Sequence, residues 1–137
     1  MEALEKKLER NGVRVTAMRL LVLQFLYGRK RAVSLTDLEN NFDRSDRTTL
    51  YRTLLTYVRN GIAHKIDDGT GIAKYALCAD DCRCQIDLDL HVHFHCNLCN
   101  GTFCLPRHKI PTISLPESFV SEEINLVVKG VCPQCAA

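Results

Sequence analysis

No stretch of this 137-residue sequence approaches the ~18 consecutive apolar residues that a membrane-crossing helix needs. The opening MEALEKKLER carries charge on a helical pattern and no hydrophobic segment, so it is not expected to be a secretory signal. GxSxG, HExxH and any paired-carboxylate arrangement are all missing, which argues against an enzyme. Cysteine is absent from the first 77 residues, yet the chain has eight. With no sign of secretion, those eight are expected in a reducing cytoplasm, where metal ligation is more usual than a disulfide framework. What is present is balanced: 46% apolar and 25% charged residues exclude wholesale disorder.

Composition divides the chain. Residues 1–77 hold 14 Lys+Arg against 9 Asp+Glu, while residues 78–137 hold 4 against 7 and contain every cysteine and four of the five histidines. A domain junction is therefore placed around Cys78 to Asp87, with one domain over 1–79 and another over 86–137. A basic half suits a nucleic-acid partner but is also compatible with an ordinary solvated surface.

The basic half reads as helices followed by a hairpin. Leu4 and Leu8 mark a first helix stopped at Asn11-Gly12, and Thr16 caps a second that Gly28 ends. Ser34 caps a third, with Asp37 completing a capping box. Ser45 opens a fourth that ends at Gly61 and turns Leu50, Leu54, Leu55 and Val58 inward. Its other face shows Arg47, Thr48, Thr49, Tyr51 and Arg52. The segments IAHKID and IAKYALC flank Asp68-Gly69-Thr70-Gly71, a hairpin signal. This is the element order of a winged helix-turn-helix, whose reading helix lies in the major groove. Arg47 and Arg52 then suit phosphate or guanine, and Thr48, Thr49 and Tyr51 suit phosphate or a thymine methyl. A helical protein–protein module shares the same pattern.

The acidic half carries two CxxC pairs, Cys96/Cys99 and Cys132/Cys135, with 32 residues between them. Each pair presents two thiolates from one tight turn, and two turns make the tetrahedral sulfur set of a structural Zn²⁺. About 50 residues make a small core, so zinc is expected to hold this half together. A second ligand group surrounds His91 and His93, which share a strand face with His95. Cys78, Cys82, Cys84, Cys104 and His108 lie nearby in sequence, and a mixed His/Cys site suits Zn²⁺ or Fe²⁺. His64, alone in the first hairpin strand, reads as structural. Strands are expected near 90–95, 101–105 and 119–129, the last with Ile124, Leu126 and Val128 on one face. The open edge of such a sheet favours pairing with a second copy.

The motifs GVRVTAMRLLVLQFL, TTLYRTLLTYVRNGIAHKI, HVHFHCNLC and GVCPQC resemble the ferric uptake regulator (Fur) family over nearly the whole chain. The resemblance implies an α+β protein with an N-terminal winged helix-turn-helix domain and a small C-terminal α/β or mainly-β dimerisation domain. It implies a homodimeric, metal-responsive regulator of operator DNA, usually a repressor. Tyr51 and Arg52 match the family's DNA contacts, and Arg14 matches its basic residue before the VT pair. Arg19 joins them as a candidate contact. Structural zinc carries over to Cys96, Cys99, Cys132 and Cys135. The regulatory site matches at His91 and His93, but Ala32 and Ala76 stand where the family has a histidine and a glutamate. Cys78, Cys84 and Cys104 are read as the replacements, giving a softer second metal site for Zn²⁺ or Fe²⁺. The surplus cysteines also support a second reading, a peroxide- or thiol-sensing repressor on the same fold.

Overall fold

The computed structural model describes residues 2–42, 45–77, 91–109, 111, 113–122 and 124–137. Helix α1 (Glu2–Arg10) buries Leu4 and Leu8, and α2 (Ala17–Leu26) buries Leu20, Val22, Leu23 and Leu26. Thr16 caps α2 by accepting from the Arg19 N–H at 3.2 Å. Strand β1 (Val33–Ser34) leads directly into α3 (Leu35–Asn41). There Ser34 and Asp37 form the expected reciprocal capping box, at 3.1 and 3.0 Å. Helix α4 (Arg47–Arg59) follows, but its N-cap is Asp46 and not Ser45, and no side chain caps it.

Helix α4 buries Leu50, Thr53, Leu54 and Tyr57. The Tyr57 hydroxyl donates to the Arg19 carbonyl, fixing α4 against α2. A hairpin of β2 (Ala63–Ile66) and β3 (Lys74–Leu77) comes next, and β1 adds to it in the order β1-β3-β2. The two-residue β1 was not expected; it is too short to carry a periodicity and forms because Val33 and Ser34 pair with Tyr75 and Lys74. The buried side chains of the four helices and this hairpin form one apolar cluster from Leu4 to Tyr75.

A second sheet contains β4 (His91–Cys96), β5 (Thr102–Lys109) and β6 (Val127–Gly130) in the order β5-β4-β6. The β4–β5 pair is antiparallel and β4–β6 is parallel. A four-residue helix, α5 (Pro133–Ala136), closes the chain. The strand expected over 119–129 is thus only its last part, Val127–Gly130. The described residues of 119–126 are in no strand, and the Leu126 carbonyl, just before β6, accepts from the His93 N–H at 3.0 Å. Leu126 and Val128 remain exposed and form no buried face.

The two sheets differ in what fills them. Among the described residues beyond 90, the buried side chains are His95, Cys96, Thr102 and Cys132, with no aliphatic among them. The sheets also touch: the Ala32 N–H donates to the Thr102 carbonyl at 2.7 Å, and Arg31 lies over the Phe103 ring.

Candidate metal centres and nucleic-acid face

The four CxxC cysteines converge. Parallel pairing sets Cys96 beside Gly130, which carries Cys132 to the end of β4. The turn after Cys96 is tight: Asn100 takes a left-handed φ of 60°, and its N–H returns to the Cys96 carbonyl at 2.9 Å. All four sulfurs lie within 4.8 Å of one another, with Cys99 and Cys132 at 3.8 Å. A tetrahedron with Zn–S of ~2.3 Å has sulfur–sulfur edges of ~3.8 Å, so the cluster has the right size. The N–H groups of Cys99 and Cys132 point at the Cys96 sulfur, at 3.5 and 3.4 Å. These two bonds pull the Cys96 thiol down to about 6. Contact with the Cys132 sulfur, with burial, pushes Cys135 up to about 12. Four packed sulfurs cannot all ionise unaided, and a divalent cation is what lets them. The set fits a structural zinc with no open position.

A second cluster joins His64, His93 and Cys104, whose ligand atoms also lie within 4.8 Å of one another. His93 and Cys104 face each other across the β4–β5 ladder. His64 comes from β2, and its ring stacks on that of His93 with centroids 5.6 Å apart and planes at 21°. All three are half-buried. Two imidazole nitrogens and one thiolate suit Zn²⁺ or Fe²⁺, with further positions open for ligands.

A buried polar group lies next to this cluster. The Asp68 carboxylate, fully buried, accepts from Lys74 Nζ at 2.7 Å and from the Thr70 and Thr102 hydroxyls at 2.6 Å each. Burial alone would raise its pKa, but these bonds outweigh it and hold the carboxyl well below the usual carboxylate range.

Helix α4 exposes Arg47, Thr48, Thr49, Tyr51 and Arg52. Arg47 is paired with Glu39 of α3 at 3.3 Å. Arg14 is exposed, and its carbonyl accepts from the half-buried Arg19 guanidinium at 2.8 Å.

No protein-family model matches the chain, and no curated protein matches it by sequence. Solved structures match it in three dimensions. A zinc uptake regulator complexed with zinc and DNA superposes at a TM-score of 0.69 over 96% of this chain and 89% of that one, with 21% identity. Holo XcZur superposes at 0.68 over 98% and 95%, with 19% identity. The ferric uptake regulator of Vibrio cholerae superposes at 0.63 over 93% and 98%, with 17% identity.

The chain has the Fur fold.

At such identities the likeness is one of backbone, so the chemistry of this Fur-fold protein is read from its own side chains. The four CxxC cysteines come together as their spacing implied. Of the expected regulatory ligands, His93 and Cys104 meet. Cys78, Cys82, Cys84 and the side chains of His91 and His108 lie outside the described residues. His64, which the sequence reads as structural, lies with His93 and Cys104, its ligand atom within 4.8 Å of theirs. Its linear spacing carries no signal, because a ligand from the hairpin is recognisable only once the Fur fold lays that hairpin against the second sheet.

Proposed function

We propose that this chain is a metal-responsive, DNA-binding transcriptional regulator of the Fur type, a cytoplasmic repressor acting as a homodimer. In this reading residues 1–79 form a winged-helix DNA-binding domain, and 86–137 a zinc-containing dimerisation and sensing domain. The observation that carries it is the convergence of His64 from the hairpin with His93 and Cys104 from the second sheet. The chain is not read as an enzyme: its complete sulfur set is closed, and the open cluster has no carboxylate among its three ligands. No helix of the described residues is long and apolar enough to cross a membrane.

The residues act as follows. Cys96, Cys99, Cys132 and Cys135 hold a zinc where the described residues bury no aliphatic side chain. His64 on one side, with His93 and Cys104 on the other, reach one divalent ion only when the hairpin lies against β4 and β5. A regulatory ion supplies the free energy that favours this closed arrangement over alternatives, and binding of metal and DNA must then assist each other equally. Tyr51 and Arg52, with Thr48, Thr49 and Arg47, present the reading face of α4, and Arg14 and Arg19 add positive charge beside it. Exposed Ile113, Leu115, Phe119, Val120 and Val131 supply apolar area for a second copy.

Metal analysis of the purified protein tests this reading, followed by binding to operator DNA with Zn²⁺, Fe²⁺ and Mn²⁺ in turn. One tightly held zinc per chain and a second, exchangeable ion needed for DNA binding are expected. DNA binding indifferent to every metal would overturn it. Cys104 within the cluster favours a second reading, in which peroxide oxidises a ligand thiolate and releases DNA. Release blocked by Cys104→Ser would select that reading.

A further inference from the structure

The loop joining β2 to β3 is tied to the second sheet through one carboxylate. Lys74 and Thr70, two of the groups that satisfy Asp68, belong to its own hairpin. The others do not: the Thr102 hydroxyl on β5 donates at 2.6 Å, and His95 Nδ1 on β4 stands at 3.4 Å. Thr102 has a single hydroxyl proton, and Asp68 takes it. The Thr102 oxygen, 3.0 Å from His95 Nδ1, therefore accepts from that ring. The result is a chain of bonds from His95 through Thr102 to Asp68. An Asp-Gly turn has no need of this, because bonds to its own loop backbone satisfy it. Two further bonds run in parallel, from the Ala32 N–H to the Thr102 carbonyl at 2.7 Å and from Asn125 Nδ2 to the Asp67 carbonyl at 2.8 Å.

The position of this chain matters more than its strength. His93 pairs with Cys104, and His95 pairs with Thr102, so the Asp68 contact lies two residues along the same two strands from the ligand cluster. On the hairpin, His64 lies in β2 and Asp68 just beyond the end of that strand. One short segment thus carries a ligand and its anchor to matching points on one ladder.

We infer that Asp68, acting through Thr102, is a positioning residue that holds the hairpin against β4 and β5. It thereby sets His64 within ligand distance of His93 and Cys104 before any ion binds. The consequence for metal binding rests on the regulatory reading above; the positional role does not. An ion entering a preformed cluster is spared the cost of ordering the hairpin, so it binds more tightly than it would to a hairpin left loose.

Thr102→Val tests this directly, because it removes the bridging hydroxyl and leaves the hairpin's own bonds intact. Asp68→Asn tests it from the other side, and Thr102→Ser is the conservative control. In protein carrying only the four-cysteine zinc, the nuclear Overhauser contact between the His64 and His93 rings should vanish in the Val and Asn variants and persist in the Ser variant. Exchange of the Ala32 amide should speed up by about tenfold or more while that of Leu54, in the helical core, is unchanged. Zinc titration against a competing chelator should show the second ion bound on the order of tenfold more weakly in Thr102→Val and recovered in Thr102→Ser. An unchanged ring contact, or unchanged affinity in a protein that does bind a second ion, would overturn the proposal. A wild-type protein that takes up no second ion, but whose ring contact still depends on Thr102, would overturn the metal reading and leave the positioning role standing.

Discussion

His64 and His93 lie face to face, ring centroids 5.6 Å apart, although one belongs to the hairpin after α4 and the other to the central strand of the second sheet. Two imidazoles from separate sheets lie with the Cys104 sulfur, their ligand atoms within 4.8 Å of one another, a spacing that could hold one ion. The connection between the β2–β3 hairpin and the second sheet therefore runs through side chains as well as through the backbone.

His64→Ala should abolish binding of the second ion and metal-dependent DNA binding while leaving one zinc per chain at the four cysteines. Metal content after dialysis, with gel-shift titrations, checks it. Loss of the tightly held zinc in this variant would show that the two centres are not independent.

Cys96→Ser should release the structural zinc. Residues 91–137 have no buried aliphatic among those described, so they should lose amide protection while α4 keeps its own. Hydrogen exchange read residue by residue distinguishes this local loss from global unfolding.

Arg52→Ala should weaken DNA binding and lower the slope of log affinity against log salt by about 1, because one phosphate contact is lost. Arg52 is exposed, so thermal stability should hardly change. A salt slope identical to wild type would remove Arg52 from the phosphate contacts.

Leu54→Ala should cost about 2–5 kcal/mol, since its side chain is fully buried between α4 and the rest of the helical core. Ser34→Ala should cost only about 1 kcal/mol, the value of a helix cap. Urea unfolding of the two variants gives the ranking directly.

Asp68 titrates below its ordinary range in the folded chain, so its contribution is fully present above the unfolded carboxyl pKa of about 3.9 and is lost as pH falls below that value. The stability difference between wild type and Asp68→Asn should therefore be constant from about pH 7 to 5 and shrink toward pH 3. Measured on protein carrying only the four-cysteine zinc, the difference isolates the carboxylate. A gap that does not vary with pH would show that Asp68 acts through shape alone.

Much of the helical half is legible from sequence because its signals are local. Thr16 and Ser34 with Asp37 act within one helical turn and appear where the pattern puts them; of the inward set expected on α4, Leu50 and Leu54 are buried, while Leu55 and Val58 are half-buried and Thr53 and Tyr57 fill the face instead. Where the signal is not local the reading fails. Phe119 to Leu126 alternates like a strand, yet among its described residues none is in a strand, although the Leu126 carbonyl accepts from the His93 N–H of β4; Val33 and Ser34 pair only because Tyr75 and Lys74 arrive beside them. Asp68 reads as an ordinary turn residue, yet it is fully buried because a threonine 34 positions further on meets it.

The sequence by itself pointed to the closed sulfur site, since CxxC spacing holds each thiol pair within a single turn and two such pairs make the four-sulfur set that zinc favours. It likewise determined the polar face of α4, since helical periodicity sorts those side chains without reference to anything distant. Only the tertiary structure decided the second cluster and its Asp68 anchor. Both depend on how the β2–β3 hairpin lies against β4 and β5, and that contact is made by residues whose proximity no local spacing encodes.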